Sequence, residues 1–546
     1  MTGFPHPCLP SSLDSGAAPA DRPAIIWSVA GTDSGGGAGL AADLRAASAM
    51  GVHLCPVVAV VTAQNSLGVQ SVHPVPVAQL QAQLDALAQD CRPRAIKCGL
   101  LASVEAIECL ARCVDALRRD GPVALVIDPV LSATAGGAAF SNAALVQAYR
   151  TLLLPRATLL TPNRREAESL AERTDTTTPA LARHLLATGA QTVCITGGDD
   201  LNAPGAAHLA LDWLDAQAPA EPPVAGWLAL PRLPSRHHHG SGCTFATAAA
   251  AALARGYPLA DAVVLAKMLS WSAVRQGYAA GAGAGPVKAE GSFIQDPRCM
   301  PVMGFADETT PSPQTLRRWR QALAARPVPG ADQATLGLYA ITDQATRVGP
   351  LLAQGLSQVQ LRIKTASGEN VQEALHQSLK LAQQQQQPGQ LWINDHWREA
   401  LAAGATALHL GQEDWAALNP EERSQILNSG ARLGLSSHSL WELARARGLT
   451  PNYIACGPVY PTTTKDMPWR PQGMRNLRWW ATMAGCPVVA IGGLLSPEQV
   501  QDCAETGAAA ACLVRALKPD MSAADLRHFQ TAWMNGRARR PLTPPV

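Results

Sequence analysis

From residue 25 onward, short runs of β-branched and other apolar residues alternate with longer amphipathic stretches rich in Ala, Leu and Gln. Ile25 to Ala30, Val57 to Val61, Ala95 to Leu101, Ala124 to Val130, Leu159 to Thr161 and Thr192 to Thr196 read as strands, and helical sequence runs from about Cys243 to Tyr278. This rhythm predicts a parallel α/β domain over 22–295. Between Gly281 and Gln333 the chain turns rich in Gly, Pro and polar residues, with only Pro313 to Ala325 helical, which predicts a linker over 296–335. The alternation then restarts with eight strand-like runs: Gly337 to Ile341, Gln358 to Ile363, Leu391 to Asn394, Ala407 to Leu410, Arg432 to Ser436, Tyr453 to Gly457, Val488 to Gly492 and Ala510 to Val514. Eight strands with eight helical stretches predict a (β/α)8 barrel over 336–536. Residues 1–21 read as a disordered N-terminal segment and 537–546 as a C-terminal tail.

Composition fits two cores rather than one. The chain has 546 residues, 47% hydrophobic and 16% charged, too many for a single ordinary domain. Lys plus Arg number 44 against 42 Asp plus Glu, scattered along the chain, so nothing marks a nucleic-acid surface and small molecules are the expected partners. No apolar run reaches the roughly 18 residues of a membrane span. With no charged start followed by an apolar stretch at the N-terminus, a cytoplasmic location is expected. The 13 cysteines fall singly, without a C-x-x-C pair, and read as buried and reduced. The sequence leaves a homo-oligomer open.

In such a barrel the active site lies at the C-terminal ends of the strands, and polar residues interrupt the apolar pattern there. Gln360-Leu361-Arg362-Ile363-Lys364 closes the second run and Asn394-Asp395 the third, while Gln412-Glu413-Asp414 follows the fourth. Thr462-Thr463-Thr464-Lys465 follows the sixth, and Gly492-Gly493 ends the seventh. An Asn-Asp pair alone is more often a helix cap than a metal ligand. On one rim, however, Asp395 and Asp414 can hold Mg2+ while Arg362, Lys364 and Lys465 surround it with positive charge, which suits a pyrophosphate. The Gly-Gly turn and the segment after the eighth strand are the barrel's usual phosphate site, so a second, monophosphorylated ligand is expected.

These motifs, with Gly457-Pro-Val-Tyr-Pro and His409-Leu-Gly, resemble the thiamine-phosphate synthase family across about 336–535. The resemblance implies condensation of hydroxymethylpyrimidine pyrophosphate with thiazole phosphate. It implies that Gln360, Leu361, Arg362, Ile363, Lys364, Asn394, Ser436 and Lys465 contact the pyrimidine pyrophosphate and that Asp395 and Asp414 hold Mg2+. Thr462, Thr463, Thr464, Gly492, Gly493, Val514 and Arg515 would bind the thiazole phosphate. Arg515 stands where the family usually has Ser, either adding a charge to the phosphate or pointing outward with only its backbone used.

In the first half, Gly31-Thr-Asp-Ser-Gly-Gly-Gly-Ala-Gly39 lies between a strand and a helix, a glycine-rich turn that is weak as a motif on its own. His239-Gly240-Ser241-Gly242-Cys243-Thr244 precedes an Ala-rich helix, where exposed N–H groups and the helix dipole make an anion hole for a transferring phosphoryl group. Cys243 would sit at its centre with a depressed pKa. The triple His237 to His239 is a poor metal motif, because consecutive side chains on an extended segment diverge.

Together with Ala63-Gln-Asn65, Ile127-Asp-Pro-Val130 and Thr161-Pro-Asn-x-x-Glu166, these motifs resemble the ribokinase-like hydroxymethylpyrimidine kinases over about 24–290. The resemblance implies a three-layer α/β fold and two successive phosphorylations with ATP as co-substrate and Mg2+. It implies catalysis at Cys243 with Gly240, Ser241 and Gly242, pyrimidine recognition by Gln64 and Asp43, and metal and nucleotide contacts by Asn163 and Glu166. Three positions depart from the family: Thr134 and Thr196 replace lysines and Ser34 replaces proline. The losses of charge keep a second reading open, an active barrel joined to a non-catalytic pyrimidine-binding module.

Overall fold

The computed structural model describes residues 22–131, 142–174, 176–198, 205, 207–219, 221–324, 336–364, 368–384, 391–462, 470–518 and 521–539. The chain forms two compact units, divided between Leu323 and Ala324. Each has its own sheet.

The first unit is built on ten strands: β1 (Ile25–Gly31), β2 (His53–Asn65), β3 (Gly68–Pro74), β4 (Ala95–Cys98), β5 (Ala124–Ile127), β6 (Leu159–Leu160), β7 (Thr192–Ile195), β8 (Leu209–Ala216), β9 (Val224–Pro231) and β10 (Val302–Met303). Their order is β10-β9-β8-β7-β6-β5-β4-β1-β2-β3. The middle of the sheet, from β2 to β7, is parallel as expected. The outer strands correct the all-parallel reading, since β3 pairs antiparallel with β2, and β8, β9 and β10 are antiparallel additions beyond β7. Leu209 to Ala216 and Val224 to Pro231 contain almost no β-branched residues, which hid them as strands. The helices Gly39–Ala49, Ser241–Ala254 and Leu259–Arg275 pack together, and those between Val77 and Leu186 form a second group. The sheet is buried between the two groups.

The segment read as a linker is partly core. Strand β10 extends the sheet, and the helix Pro313–Ala324 buries Trp319 in the first unit's apolar core. Trp227 Nε1 donates to the carbonyl of Thr309 at 3.1 Å. Gly and Pro in this region mark irregular backbone, and the apolar side chains between them still have a core to enter.

In the second unit, β11 (Gly337–Thr342), β12 (Gln358–Leu361), β13 (Leu391–Asn394), β14 (Ala407–Leu410), β15 (Arg432–Ser437), β16 (Tyr453–Cys456), β17 (Val488–Ala490) and β18 (Ala510–Leu513) close into a parallel barrel in sequence order. This is the (β/α)8 fold expected from the eight runs. Tyr339, Trp392, Tyr453, Ala455, Val489 and Cys512 fill the barrel's interior. All twelve described cysteines are free and eight of them are buried.

Candidate active sites

In the first unit, the glycine-rich turn after β1 and the start of the helix Ser241–Ala254 lie against each other. Asp33 organises the turn by accepting from the N–H groups of Gly35, Gly37 and Ala38 at 2.8 to 2.9 Å. Burial works against its charge, but His239 and these N–H groups outweigh it and hold the carboxyl below the usual range. Gly240 is the N-cap of the helix, with φ at 84°, and a Cβ there would lie 2.2 Å from the Gly37 carbonyl oxygen. Only glycine allows this approach. Ser241, Gly242 and Cys243 form the first helical turn, whose leading N–H groups have no partner within the helix.

Beneath that turn lies a buried charge cluster. Lys97 Nζ on β4 is 3.1 Å from Asp43 and 3.6 Å from Asp128. Burial disfavours the ammonium, yet Asp43, Cys243 and Asp128 hold its pKa well above the ordinary lysine value. Asp43 also accepts from Ser28 Oγ at 2.6 Å and Thr247 Oγ1 at 2.7 Å. Fully buried among these partners, Asp43 has no edge to offer a pyrimidine, which corrects the role expected of it. The expected depression of Cys243 is corrected too. Burial pushes its thiol up to about 12, with Lys97 opposing and Asp128 and Asp43 adding to the rise.

Gln64, at the end of β2, is only partly buried and its amide lies 3.2 Å from His239 Nε2. Ser34 has a local job: its hydroxyl donates to the Gln64 carbonyl at 2.6 Å and accepts from the Gln64 N–H at 2.8 Å. Asn163 and Glu166 form a capping box at the start of the helix Arg164–Ala171, each side chain accepting the other's N–H at 2.9 Å. Thr196 pairs with that segment through its N–H to the Pro162 carbonyl. Thr134 lies outside the described residues.

The barrel site is organised by a chain of hydrogen bonds across its interior. Gln360 Nε2 donates to Asn394 Oδ1 at 2.7 Å, and Tyr339 donates to Gln360 Oε1 at 3.0 Å. The Tyr339 and Tyr453 hydroxyls are 2.7 Å apart, His409 Nδ1 is 2.7 Å from Tyr453, and His409 Nε2 is 2.9 Å from Ser436 Oγ. With the Gln360 amide nitrogen on Asn394 and its oxygen on Tyr339, one ordering of protons satisfies the chain with a neutral imidazole. Tyr339 spends its hydrogen on Gln360, so Tyr453 donates to Tyr339, His409 Nδ1–H donates to Tyr453, and Ser436 donates to His409 Nε2. Burial lowers the His409 pKa to about 3, so the ring is the neutral tautomer this ordering needs. Gly434 is required beside it, because a Cβ there would lie 2.3 Å from the Tyr453 ring.

At the rim, Asp395 adopts φ 67° after β13, and Asp414 accepts from the Gly411 N–H at 3.0 Å. Burial, and then the charge and hydrogen bond of Asp414, raise the Asp395 pKa to about 6, with Arg362 opposing. Two carboxylates held together at that expense suit a divalent cation. Arg362 and Ile363 are half-buried and Lys364 is exposed beyond β12. Ile363 is fixed by its carbonyl, 3.0 Å from His396 Nε2. Gly492 and Gly493, with φ 93° and 74°, form the turn after β17. Val514 is half-buried and Arg515 exposed after β18. Thr462 is described, whereas Thr463, Thr464 and Lys465 lie outside the described residues. Sequence reasoning missed Tyr339, Tyr453 and His409 as site residues, although His409 stood inside a quoted motif.

The fold and sites define a two-part transferase, an α/β kinase domain followed by a (β/α)8 barrel. Residues 33–288 match the phosphomethylpyrimidine kinase family and 338–517 the thiamine monophosphate synthase family. A probable thiamine biosynthetic bifunctional enzyme of Oryza sativa subsp. japonica, described as chloroplastic, is 31% identical over 486 residues, covering 86% of this chain and 81% of that protein. The hydroxymethylpyrimidine/phosphomethylpyrimidine kinase of Streptomyces coelicolor is 39% identical over 49% of this chain and 95% of its own. The thiamine-phosphate synthase of Neisseria meningitidis serogroup B is 40% identical over 37% of this chain and 96% of its own. The chain belongs to the bifunctional thiamine biosynthetic enzymes, with a kinase half and a thiamine-phosphate synthase half.

Proposed function

We propose that the first unit phosphorylates hydroxymethylpyrimidine and then its monophosphate with ATP, and that the barrel joins the resulting pyrophosphate to thiazole phosphate, releasing pyrophosphate. The observation that carries the kinase step is the glycine-lined helix start at Gly240 to Cys243, packed on the Asp33 turn above the Lys97 cluster. Ser241 N–H is spent on the His238 carbonyl at 3.2 Å, so the Gly242 and Cys243 N–H groups would bind the transferring phosphoryl group, and the Cys243 thiol would donate to an oxygen there. Gln64 would read the pyrimidine. The Asn163–Glu166 cap, at the start of the helix Arg164–Ala171, would lie where the resemblance puts metal and nucleotide phosphates.

In the barrel, Gln360, Asn394 and Ser436 would bind the pyrimidine, with Arg362, Lys364 and Lys465 on the pyrophosphate and Leu361 and Ile363 as flanking backbone. The hydrogen-bond ordering leaves the Asn394 amide as a donor for a ring nitrogen. Thr462, Thr463, Thr464, Gly492, Gly493, Val514 and Arg515 would form the thiazole phosphate site. Asp395 and Asp414 would hold Mg2+, which when bound neutralises charge on the leaving pyrophosphate. A pyrimidine-binding module without turnover is the weaker reading, since the relatives of this half are kinases.

No helix among the described residues is long and apolar enough to cross a membrane. Twelve free cysteines favour a reducing compartment, and we retain the cytoplasm as the place of action.

The metal assignment is tested by titrating Mg2+ in a synthase assay supplied with pyrimidine pyrophosphate and thiazole phosphate. Asp395→Asn should raise the Mg2+ requirement at least about tenfold, on the order of one lost charge-assisted contact. An unchanged requirement would remove the carboxylate pair from the metal site.

A further inference from the structure

His239 is the one side chain of the triple histidine that is enclosed by the kinase site, and the anion-hole description gives it no work. Its ring is buried, and a Cβ at Gly37 would lie 2.2 Å from its Cδ2. Its backbone is fixed from the other side, its N–H donating to the Gly285 carbonyl at 3.1 Å and its carbonyl accepting from Val287 at 3.1 Å. Nε2 faces two groups, Asp33 Oδ2 at 3.0 Å and the Gln64 amide nitrogen at 3.2 Å, while Nδ1 is buried with no partner among the described residues.

These contacts determine where the ring carries its proton. A carboxylate oxygen can only accept, so Nε2 must carry a hydrogen to meet Asp33. A buried N–H at Nδ1 with nothing to donate to would be costly, whereas a bare ring nitrogen costs less, so Nδ1 is left unprotonated. The amide of Gln64 must then present its oxygen to the shared Nε2–H, because its own N–H groups would meet a donor there. A half-turn of the terminal amide exchanges its two ends without moving the side chain.

We propose that His239, oriented by Asp33, is the positioning residue that fixes the Gln64 amide with its NH2 group toward the substrate, so that the kinase selects rings presenting a nitrogen acceptor. The inference rests on Gln64 reading the pyrimidine. It also gives a direct connection between ring recognition and phosphoryl binding, since Gly240 follows His239 in the chain.

The test uses full-length protein and steady-state kinase kinetics with hydroxymethylpyrimidine and ATP varied separately. His239→Leu should raise the KM for hydroxymethylpyrimidine roughly tenfold, the scale of one lost hydrogen bond, with the KM for ATP unchanged. His239→Gln, which can return a donor near the Nε2 position, should recover most of that loss. In a Gln64→Ala background, His239→Leu should add little, because the group it orients is gone. If Gln64→Ala alone leaves the pyrimidine KM unchanged, the reading of Gln64 fails. If Gln64→Ala raises that KM while His239→Leu does not, or the two losses multiply independently, the positioning role fails. Circular dichroism melts identify variants that misfold, and for those His239→Phe, which keeps a ring in the same enclosure but has no N–H, takes the place of His239→Leu. A folded His239→Phe should raise the pyrimidine KM by a similar factor; an unchanged KM in a folded His239→Phe would overturn the proposal.

Discussion

Tyr453→Phe removes one oxygen atom from the middle of the barrel's hydrogen-bond chain and leaves the ring in place. The hydroxyl lies 2.7 Å from Tyr339 and 2.7 Å from His409 Nδ1, so two buried hydrogen bonds are lost together. The ring's edge-on contact with Trp392 at 4.7 Å and its stacking on His409 at 5.6 Å are kept, so no cavity term enters. Tyr339 retains its bond to Gln360, whereas His409 has nothing to receive its Nδ1 hydrogen. Two ordinary buried hydrogen bonds amount to about 2 kcal/mol. For a unit of this size that is a fall of roughly 4–8 °C in melting temperature, at about 2–4 °C per kcal/mol. Scanning calorimetry of the full chain is the right assay, because two units need not unfold as one transition. The barrel's transition should drop while kinase activity stays constant. With its ring free to change tautomer, His409 would also lose its hold on Ser436, raising the KM for pyrimidine pyrophosphate. A barrel transition within about 1 °C of wild type, well inside the expected fall, at unchanged KM would refute the ordered chain.

Gly240→Ala should abolish kinase turnover while synthase activity on supplied pyrimidine pyrophosphate persists, since its Cβ would meet the Gly37 carbonyl and the left-handed backbone would be strained; the two separate assays check this. The pH dependence of barrel stability has a sign fixed by His409. Its folded pKa of about 3 lies below the unfolded value near 6.5, so between these limits the unfolded chain binds the extra proton. Stability is therefore lost as pH falls below about 6.5, at up to ~1.4 kcal/mol per pH unit, and denaturant melts of His409→Gln should show a flatter slope.

Much of this was legible in the sequence, for reasons that can be located. All eight barrel strands could be read because each is short, apolar and followed by an amphipathic helix, and because the strands pair in chain order. Strands β8 and β9 could not, because runs such as Leu-Ala-Leu-Asp-Trp-Leu carry strand structure mainly on Leu and Ala, which local propensity assigns to helix as readily. Asp395 and Asp414 stood out as rim carboxylates, and the structure brings them close enough for one to raise the other's pKa. Asp43 looked equally available in sequence, and only packing reveals that Lys97, Ser28 and Thr247 enclose it. Tyr339, His409 and Tyr453 lie on three different strands and read singly as core residues. Their chemistry exists only once the barrel closes, which no local pattern records.

The two halves of the chain make the pyrimidine pyrophosphate and then consume it. The most direct measurement is thiamine phosphate formation by the full-length protein from hydroxymethylpyrimidine, thiazole phosphate, ATP and Mg2+, beside Cys243→Ala and Asp395→Ala. Wild type should form product, each variant alone should not, and ready-made pyrimidine pyrophosphate should rescue Cys243→Ala but not Asp395→Ala. Product from wild type only when the pyrophosphate is supplied would contradict the claim and leave the first unit as a binding module.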